Sequence, residues 1–183
     1  MGNDIAESLG CIGIGSKEDK KLRRNEIYFN ERRYKTVAEK SASWKFHHLG
    51  VVVKDLDKAI EYYQSLGIGP FVSNPSEVAT DRKVYGKPAN IKLKGAEAHL
   101  GPIKFELIQP VEGESVQKEF LESKGEGMNH IGFVVNDLEK EVRKLEEKGF
   151  SVISSGKIPP SGGFAYVGTN KVGGVVIELI KKK

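Results

Sequence analysis

Hydrophobic and polar positions follow the same pattern at two places along the chain. In residues 46–68 (FHHLGVVVKDLDKAIEYYQSLGI) a valine-rich stretch is followed by apolar residues at steps of three and four, and residues 128–150 (MNHIGFVVNDLEKEVRKLEEKGF) repeat this order. A short run of β-branched residues predicts a strand, and apolar residues at three- and four-residue steps predict a helix with one buried face. We therefore predict helices at 56–66 and 138–148, each directly after a strand.

The two segments are related copies. They align without gaps at an offset of 128 − 46 = 82 positions, and 8 of the 21 positions from His48 to Ile68 are identical. The shared residues are His48/His130, Gly50/Gly132, Val52/Val134, Val53/Val135, Asp55/Asp137, Leu56/Leu138, Lys58/Lys140 and Gly67/Gly149. The shared aspartate precedes each predicted helix, where it caps the first turn, and the last shared glycine follows the helix, where a left-handed residue is favoured. Self-similarity at this scale predicts two structurally equivalent units.

Each copy closes on a similar apolar strand, residues 103–108 (IKFELI) in the first and 175–180 (VVIELI) in the second, with shorter strand-like pieces in between. The order of elements in each unit is therefore βαβββ. We predict an α+β fold in which two such modules form a shared mixed-sheet cleft with the helices outside. The predicted boundaries are an N-terminal extension at 1–44 and a domain at 45–183, made of module 1 (45–111), a linking helix (112–126) and module 2 (127–183).

Charge and composition argue against two classes of function, nucleic-acid binding and membrane association. The net charge of +4 lies mostly in residues 1–45, which hold ten Lys/Arg against seven Asp/Glu. The remaining chain has no basic stripe interleaved with aromatic residues, so we expect no nucleic-acid binding. It also has no apolar run near the roughly 20 residues that span a bilayer, and the N-terminus has no signal-peptide pattern, so we expect no membrane association. The single cysteine, Cys11, is typical of a protein in a reducing, cytoplasmic compartment.

The repeat distinguishes two adjacent histidines. His47 aligns with Asn129, whereas His48 aligns with His130, so a role shared by both modules belongs to His48. Because neighbouring residues of a strand point to opposite faces, we expect at most one of His47 and His48 to face a given pocket. We predict that His48 binds a metal and that His47 does not.

Each module also carries one glutamate inside its last apolar strand, Glu106 in the first and Glu178 in the second. A carboxylate among apolar residues is costly to bury unless a partner or a cation compensates it. Alternation along the strand directs Phe105 and Leu107 towards a helix and Glu106 towards the cleft. Two imidazoles and two carboxylates suit a divalent first-row metal. The predicted ligands are His48, Glu106, His130 and Glu178.

This pattern resembles the vicinal oxygen chelate superfamily, which includes glyoxalase I, methylmalonyl-CoA epimerase, extradiol dioxygenases and fosfomycin or bleomycin resistance proteins. The resemblance covers residues 46–181, and HHLGVVVKDLDKAIEYY, FLESKGEGMNHIGFVV and GGVVIELI are most similar to the epimerase branch. In that branch the metal ligands are a His, a Gln or Glu, a His and a Glu, which fall on the four residues above. The resemblance implies a divalent metal cofactor, either Co, Ni, Mn, Zn or Fe.

The resemblance further implies an isomerase that removes and returns a proton next to a carbonyl, by epimerising a 2-acyl-CoA such as methylmalonyl-CoA. Glu106 and Glu178 are the candidate catalytic residues. The resemblance does not identify which acidic residue in 78–101 is the catalytic base, so Glu97 in this stretch is only a further candidate.

Several alternatives stay open from the sequence. A glyoxalase I-type lyase would use the same metal and a glutathione hemithioacetal, although TNKVGG replaces the usual Asp-Pro-Asp-Gly turn of that enzyme. A small-molecule-binding resistance-type protein and an interaction module that uses residues 1–44 are further alternatives. An extradiol dioxygenase typically uses two His and one Glu, so the additional Glu106 argues against it. The cleft closes either within one chain or across a homodimer.

Overall fold

The computed structural model describes residues 44–74, 79–171 and 173–182. Except for Trp44, the predicted extension at 1–44 lies outside these residues. The elements of the described chain are β1 (Lys45–Val52), α1 (Leu56–Ser65), β2 (Val72–Asn74), β3 (Thr80–Val84), β4 (Lys87–Pro88), β5 (Lys92–Leu100), β6 (Ile103–Glu112), α2 (Val116–Lys124), β7 (Gly127–Val134), α3 (Leu138–Glu146), β8 (Val152–Ile158), β9 (Gly162–Val167) and β10 (Val176–Lys181).

The strands form one mixed sheet in the order β2-β5-β6-β1-β7-β10-β9-β8-β3-β4. The first strands of the two modules, β1 and β7, pair antiparallel at the centre. On its other side β1 runs parallel to β6, and β7 likewise runs parallel to β10. The last strand of each module thus lies beside its first strand. The predicted α+β fold with two βαβββ modules is confirmed.

The hairpin β3–β4 is the part of the sheet that the repeat does not predict. It follows β2 in module 1, yet β3 pairs antiparallel with β8 of module 2. The turn of the hairpin has positive φ at Tyr85 (49°) and Gly86 (75°), as tight hairpin turns require. The Tyr85 amide also donates a hydrogen bond to Ile153 O at 2.9 Å. Module 1 therefore contributes a hairpin to the far edge of module 2.

The helices lie where the apolar spacing predicts them. α1 and α3 end one and two residues before the predicted ends at 66 and 148. In each helix the preceding aspartate accepts a hydrogen bond from the amide of Lys58 or Lys140, and the glycine that follows has a φ of 82° or 83°. α2 lies inside the predicted linking helix. None of the helices in the described chain is long and apolar enough to cross a membrane.

Alternation along β6 places apolar and acidic side chains on opposite faces of the sheet. Phe105 and Leu107 are buried in one apolar cluster with Leu56 of α1, and Tyr63 of the same helix packs against this cluster. Full burial of a side chain such as Leu107 contributes roughly 1.5–3 kcal/mol to stability. Glu106, between Phe105 and Leu107, lines a cavity on the other face. The core thus fixes the direction in which this carboxylate points.

Candidate metal centre

The four predicted ligands lie on the four central strands of the sheet: Glu106 on β6, His48 on β1, His130 on β7 and Glu178 on β10. The strand register aligns them in two rows that are two residues apart along β1. Gly50 lies between Glu106 and His130 in one row, and Gly132 lies between His48 and Glu178 in the other. Each row therefore has one histidine and one glutamate on either side of a glycine, and both modules contribute to both rows.

The two glycines provide the space in which the imidazoles meet. A Cβ atom at Gly50 would overlap with the His130 ring, and a Cβ atom at Gly132 would overlap with the His48 ring. Because protein interiors are close-packed, any larger residue would push the ring away. This explains why the pair Gly50/Gly132 is among the residues that the two modules share.

The side chains converge at their polar ends. The Nε2 atoms of His48 and His130 are 2.9 Å apart. Glu106 Oε2 lies 3.1 Å from His48 Nε2 and 3.7 Å from His130 Nε2. Glu178 Oε2 lies 3.2 and 3.6 Å from the same two atoms. The ligand atoms of His48, Glu106 and His130 all lie within 4.8 Å of one another, so one metal ion could be held between them.

Burial and mutual contact change the acidity of these groups. Burial alone would lower the pKa of His48, but the carboxylates of Glu106 and Glu178 outweigh it and raise this pKa to about 10. Burial likewise works against ionisation of Glu106, yet the two imidazoles hold its pKa well below its usual range. Without a metal, a protonated imidazole therefore compensates the buried carboxylate. A divalent cation would take over this role, because ligand binding to metal displaces the proton.

A bulge precedes each of the two histidines. His47 is an extra residue in β1 and Asn129 is an extra residue in β7, so neither has a direct partner in the β1–β7 pair. The side chains of both reach the ring that follows: His47 Nδ1 lies 2.8 Å from His48 Nδ1, and Asn129 Oδ1 lies 3.1 Å from His130 Nδ1. The aligned residues His47 and Asn129 thus make equivalent contacts in the two modules.

The expectation that His47 and His48 face different pockets is wrong, because both line the same cavity. The bulge breaks the alternation on which that expectation depended. Burial, together with the charge of His48, lowers the pKa of His47 to about 4, so His47 is neutral and its Nδ1 accepts the proton of His48 Nδ1–H. Asn129 Oδ1 accepts from His130 Nδ1–H in the same way. Each contact leaves Nε2 as the nitrogen that faces the carboxylates.

These residues fit a divalent metal. Two ligand atoms at right angles, each about 2.1 Å from a metal, are about 3 Å apart, which matches the 2.9 Å between the two Nε2 atoms. Glu178 Oε2 is buried and accepts no hydrogen bond from the residues that the structure describes. The Nε2 atoms of His48 and His130 lie 3.2 and 3.6 Å from it. A buried carboxylate oxygen without a hydrogen bond is costly, and a cation between the four side chains would remove this cost.

The cluster borders a cavity of about 360 Å³ that residues of both modules line within one chain. Three of these residues were missed by the sequence analysis: Arg82 of β3, Gln117 of α2 and Tyr166 of β9. Tyr166 lies directly opposite Glu178 in the β9–β10 pair, a relation that only the strand pairing reveals. A larger and more open groove of about 990 Å³, between α3 and β8, contains none of the four predicted ligands.

Tyr166 extends the cluster on the side of Glu178. Its ring packs edge-on against His130, with 5.0 Å between the ring centroids. Burial, together with the charges of Glu178 and Glu106, raises the pKa of Tyr166 well above its usual value, and its hydroxyl lies against Glu178 and Gln117. The hydroxyl is therefore protonated and able to donate to a carboxylate.

Glu97, the further candidate base, lies on β5 directly opposite Glu106. Its carboxylate forms an ion pair with Lys104, and it does not belong to the described residues that line the cavity. The geometry therefore favours Glu106 and Glu178 over Glu97 for proton transfer.

Sequence comparison with known proteins finds relatives of the chain. Protein YqjC of Bacillus subtilis, itself uncharacterised, is 28% identical over 144 residues, which are 76% of this chain and 93% of that protein. The mitochondrial methylmalonyl-CoA epimerase of Bos taurus is 28% identical over 141 residues, which are 74% of this chain and 73% of the epimerase.

Solved structures share the fold. A variant of Streptomyces coelicolor methylmalonyl-CoA epimerase, in complex with 2-nitronate-propionyl-CoA, has a TM-score of 0.57 at 20% identity over 75% of this chain and 96% of that one. A family model matches residues 47–169, which include both histidines and Glu106. With the paired modules, the central cleft and this match, the chain belongs to the glyoxalase/bleomycin resistance protein/dioxygenase superfamily.

Proposed function

We propose that this chain is a metal-dependent enzyme that removes and returns a proton next to a carbonyl group, and that it epimerises the α-carbon of a 2-acyl-CoA such as methylmalonyl-CoA. The observation that carries the proposal is the convergence of two imidazoles and two carboxylates beside one cavity. The methylmalonyl-CoA epimerase among the relatives supports the substrate class.

The metal would be held by His48, Glu106, His130 and Glu178. When bound, a divalent ion acts as a Lewis acid on the carbonyl oxygen and stabilises the negative charge that develops as the adjacent C–H bond breaks. His47 and Asn129 fix the orientation of the two imidazoles through their Nδ1 atoms. Such outer contacts typically change metal affinity or activity about 10- to 100-fold.

Glu106 and Glu178 are the proposed proton acceptors. Epimerisation removes a proton from one face of the α-carbon and returns a proton to the other face, so one of the two groups would act as the carboxylate base and the other as the protonated acid, and each would leave the metal in order to act. Glu106 on β6 and Glu178 on β10 flank the strands that carry the histidines, and both carboxylates line the cavity. A positioned carboxylate contributes roughly 10²- to 10⁴-fold to the rate of such a transfer.

Deuterium exchange tests the reaction. Methylmalonyl-CoA incubated in heavy water should exchange its α-proton faster with the metal-loaded protein than with metal alone or with the metal-free protein. Mass spectrometry of the thioester measures this exchange directly. If the protein exchanges no acyl-CoA proton but isomerises a glutathione hemithioacetal, the glyoxalase alternative replaces the proposal. Tight thioester binding without exchange would instead favour the resistance-type binding protein.

The variant Glu106→Gln separates metal binding from proton transfer, because glutamine still offers an oxygen ligand but cannot accept a proton. We expect it to retain metal and to lose at least roughly 10²-fold of the exchange rate. Glu112→Gln is the matched control, since Glu112 lies on the same strand, is exposed and does not line the cavity. If the Glu106→Gln variant keeps both the metal and the exchange rate, the catalytic base is another residue.

A further inference from the structure

The two modules differ at the residue that lies opposite their glutamate. In module 2, Tyr166 of β9 pairs directly with Glu178 of β10. In module 1, Glu97 of β5 holds the corresponding place opposite Glu106 of β6. Glu97 forms an ion pair with Lys104, and an ionised carboxylate has no proton to donate. The two glutamates of otherwise equivalent modules therefore have different neighbours, a phenol in module 2 and a carboxylate in module 1.

Packing and strand pairing hold the ring of Tyr166 in place. Tyr166 is 6% exposed and lines the cavity. Its ring packs edge-on against His130, with 5.0 Å between the ring centroids, and against Phe164, with 5.7 Å. Its strand, β9, lies between β10 and β8 in the sheet. Because a close-packed ring of this kind has little freedom to move, the hydroxyl stays at one place in the cavity wall.

The hydroxyl of Tyr166 lies against two polar side chains, Glu178 and Gln117. Gln117 is a buried residue of α2 and lines the same cavity. A hydroxyl has a single proton to donate, an ionised carboxylate only accepts hydrogen bonds, and an amide NH₂ group donates them. The proton of Tyr166 is therefore directed to Glu178, and the amide of Gln117 donates to the hydroxyl oxygen.

We propose that Tyr166 is a positioning residue for Glu178, because its hydroxyl donates to Oε1 and sets the rotation of the carboxylate. Glu178 Oε2 faces the imidazoles of His48 and His130 and accepts no hydrogen bond from the described residues, which leaves Oε1 for the hydroxyl. The inference rests on the proposed function, since it assumes that Glu178 and Glu106 transfer protons on opposite faces of the α-carbon. Loss of the hydroxyl should then impair one face more than the other.

The two epimers of methylmalonyl-CoA test this assignment, because each presents its α-proton on a different face. The initial rate of α-proton loss in heavy water is measured for each pure epimer by mass spectrometry. We expect Tyr166→Phe, which keeps the ring against His130, to slow one epimer roughly 10-fold more than the other. Glu106→Gln should slow the opposite epimer more, because it removes the proton acceptor of the other face.

Tyr63→Phe is the matched control for loss of a hydroxyl, because Tyr63 is a half-buried residue of α1 that packs against the core on the other face of the sheet. It should slow neither epimer. A merely structural effect of Tyr166→Phe would slow both epimers alike and would overturn the inference. No slowing at all, or a preference for the same epimer as in Glu106→Gln, would overturn it as well.

Infrared spectroscopy measures the contact without metal or substrate. The difference spectrum between wild type and Tyr166→Phe should contain a carboxylate band, because a hydroxyl donor shifts the stretching frequency of the carboxylate that accepts from it. The same comparison in a Glu178→Gln background should lack this band. A band that persists there, or no band in either comparison, would overturn the inference. If the band is found but wild type exchanges no α-proton, the contact is supported and the proposed reaction is overturned, so the two proposals fail separately.

Discussion

Gly50 and Gly132 determine how closely the two imidazoles approach each other. Each glycine lies opposite the histidine of the other module, and the ring of that histidine occupies the space that a Cβ atom would need. The spacing His-x-Gly in both modules is therefore a packing requirement: the histidine of one strand fills the gap above the glycine of its neighbour. The site depends on residues with no side chain as much as on its ligands.

The variant Gly50→Ala tests this requirement. The added methyl group should displace the His130 ring, reduce metal content and lower the free energy of unfolding by about 1–3 kcal/mol, as overpacking typically does. Urea denaturation and metal analysis measure the two effects. Gly101→Asn is the control, because nothing lies within 4 Å of a Cβ at Gly101 and asparagine tolerates its φ of 61°. Unchanged metal content in Gly50→Ala would contradict the packing argument.

The adjacent histidines should differ in their effect on metal binding. We expect His48→Ala to lose most of the bound metal, because it removes a ligand. His47→Ala should weaken metal binding on the order of 10-fold, because it removes the acceptor that orients His48. His47→Asn should stay near wild type, since Asn129 makes the same contact to His130 in module 2. Titration with Zn²⁺ or Co²⁺ measures the affinities. Equal losses from His47→Ala and His48→Ala would contradict the assignment of His48 alone as the ligand.

At the residue scale, the sequence predicts what both modules share. The aligned pairs His48/His130 and Glu106/Glu178 could be identified because each type recurs at a corresponding position. The contact of His47 could not be predicted, since a bulge is a local departure from the alternation on which such predictions rest. The difference between His47 and Asn129 in the repeat also conceals their common role.

Among the elements, α2 contacts both the cavity and the β3–β4 hairpin. Its buried Gln117 lines the cavity, and Glu119 accepts a hydrogen bond of 2.6 Å from the Tyr85 hydroxyl at the turn of the β3–β4 hairpin. The helix begins after Ser115, whose Oγ accepts from the Lys118 amide at 3.1 Å. The start of α2 therefore fixes where Gln117 enters the cavity.

Loss of this cap should destabilise the chain. We expect Ser115→Ala to lower the free energy of unfolding by about 1 kcal/mol, measured by urea denaturation, and Ser115→Thr to retain most of the stability. Ser123→Ala, on the exposed side of the same helix, should have a smaller effect, because its hydroxyl only donates to carbonyls within the helix. Equal effects of the two alanine variants would show that the cap of α2 contributes nothing specific.

The helices could be predicted from the repeat, but one element of the sheet could not. The helices after Asp55 and Asp137 follow from caps and apolar spacing, which are local signals. The hairpin β3–β4 does not, because its sequence is polar, it has no counterpart in module 2 and its partner β8 is distant in the chain. Arg82 was missed for the same reason: its place in the cavity depends on long-range pairing that no local pattern encodes.

For the whole molecule, the candidate metal centre connects the two modules. Two of its ligands lie on strands of module 1 and two on strands of module 2, and the central β1–β7 pair brings them together. A metal would bind there only in the folded state, because unfolding separates the four side chains. Metal binding should therefore add to the stability of the entire domain rather than to one element.

Thermal unfolding should consequently depend on metal concentration. At a free metal concentration about 100 times the Kd, binding stabilises the folded state by about 2.7 kcal/mol, which corresponds to a rise in Tm of roughly 5–10 °C for a domain of this size. Zn²⁺, Co²⁺ or Ni²⁺ should raise the Tm more than Mg²⁺, because imidazole ligands favour first-row transition metals. His48→Ala should abolish most of the rise, whereas Glu139→Gln, on the exposed surface of α3, should keep it. An identical rise in His48→Ala would mean that the metal binds at another site. The two imidazoles and two carboxylates of the cluster would then compensate each other's charge without an ion.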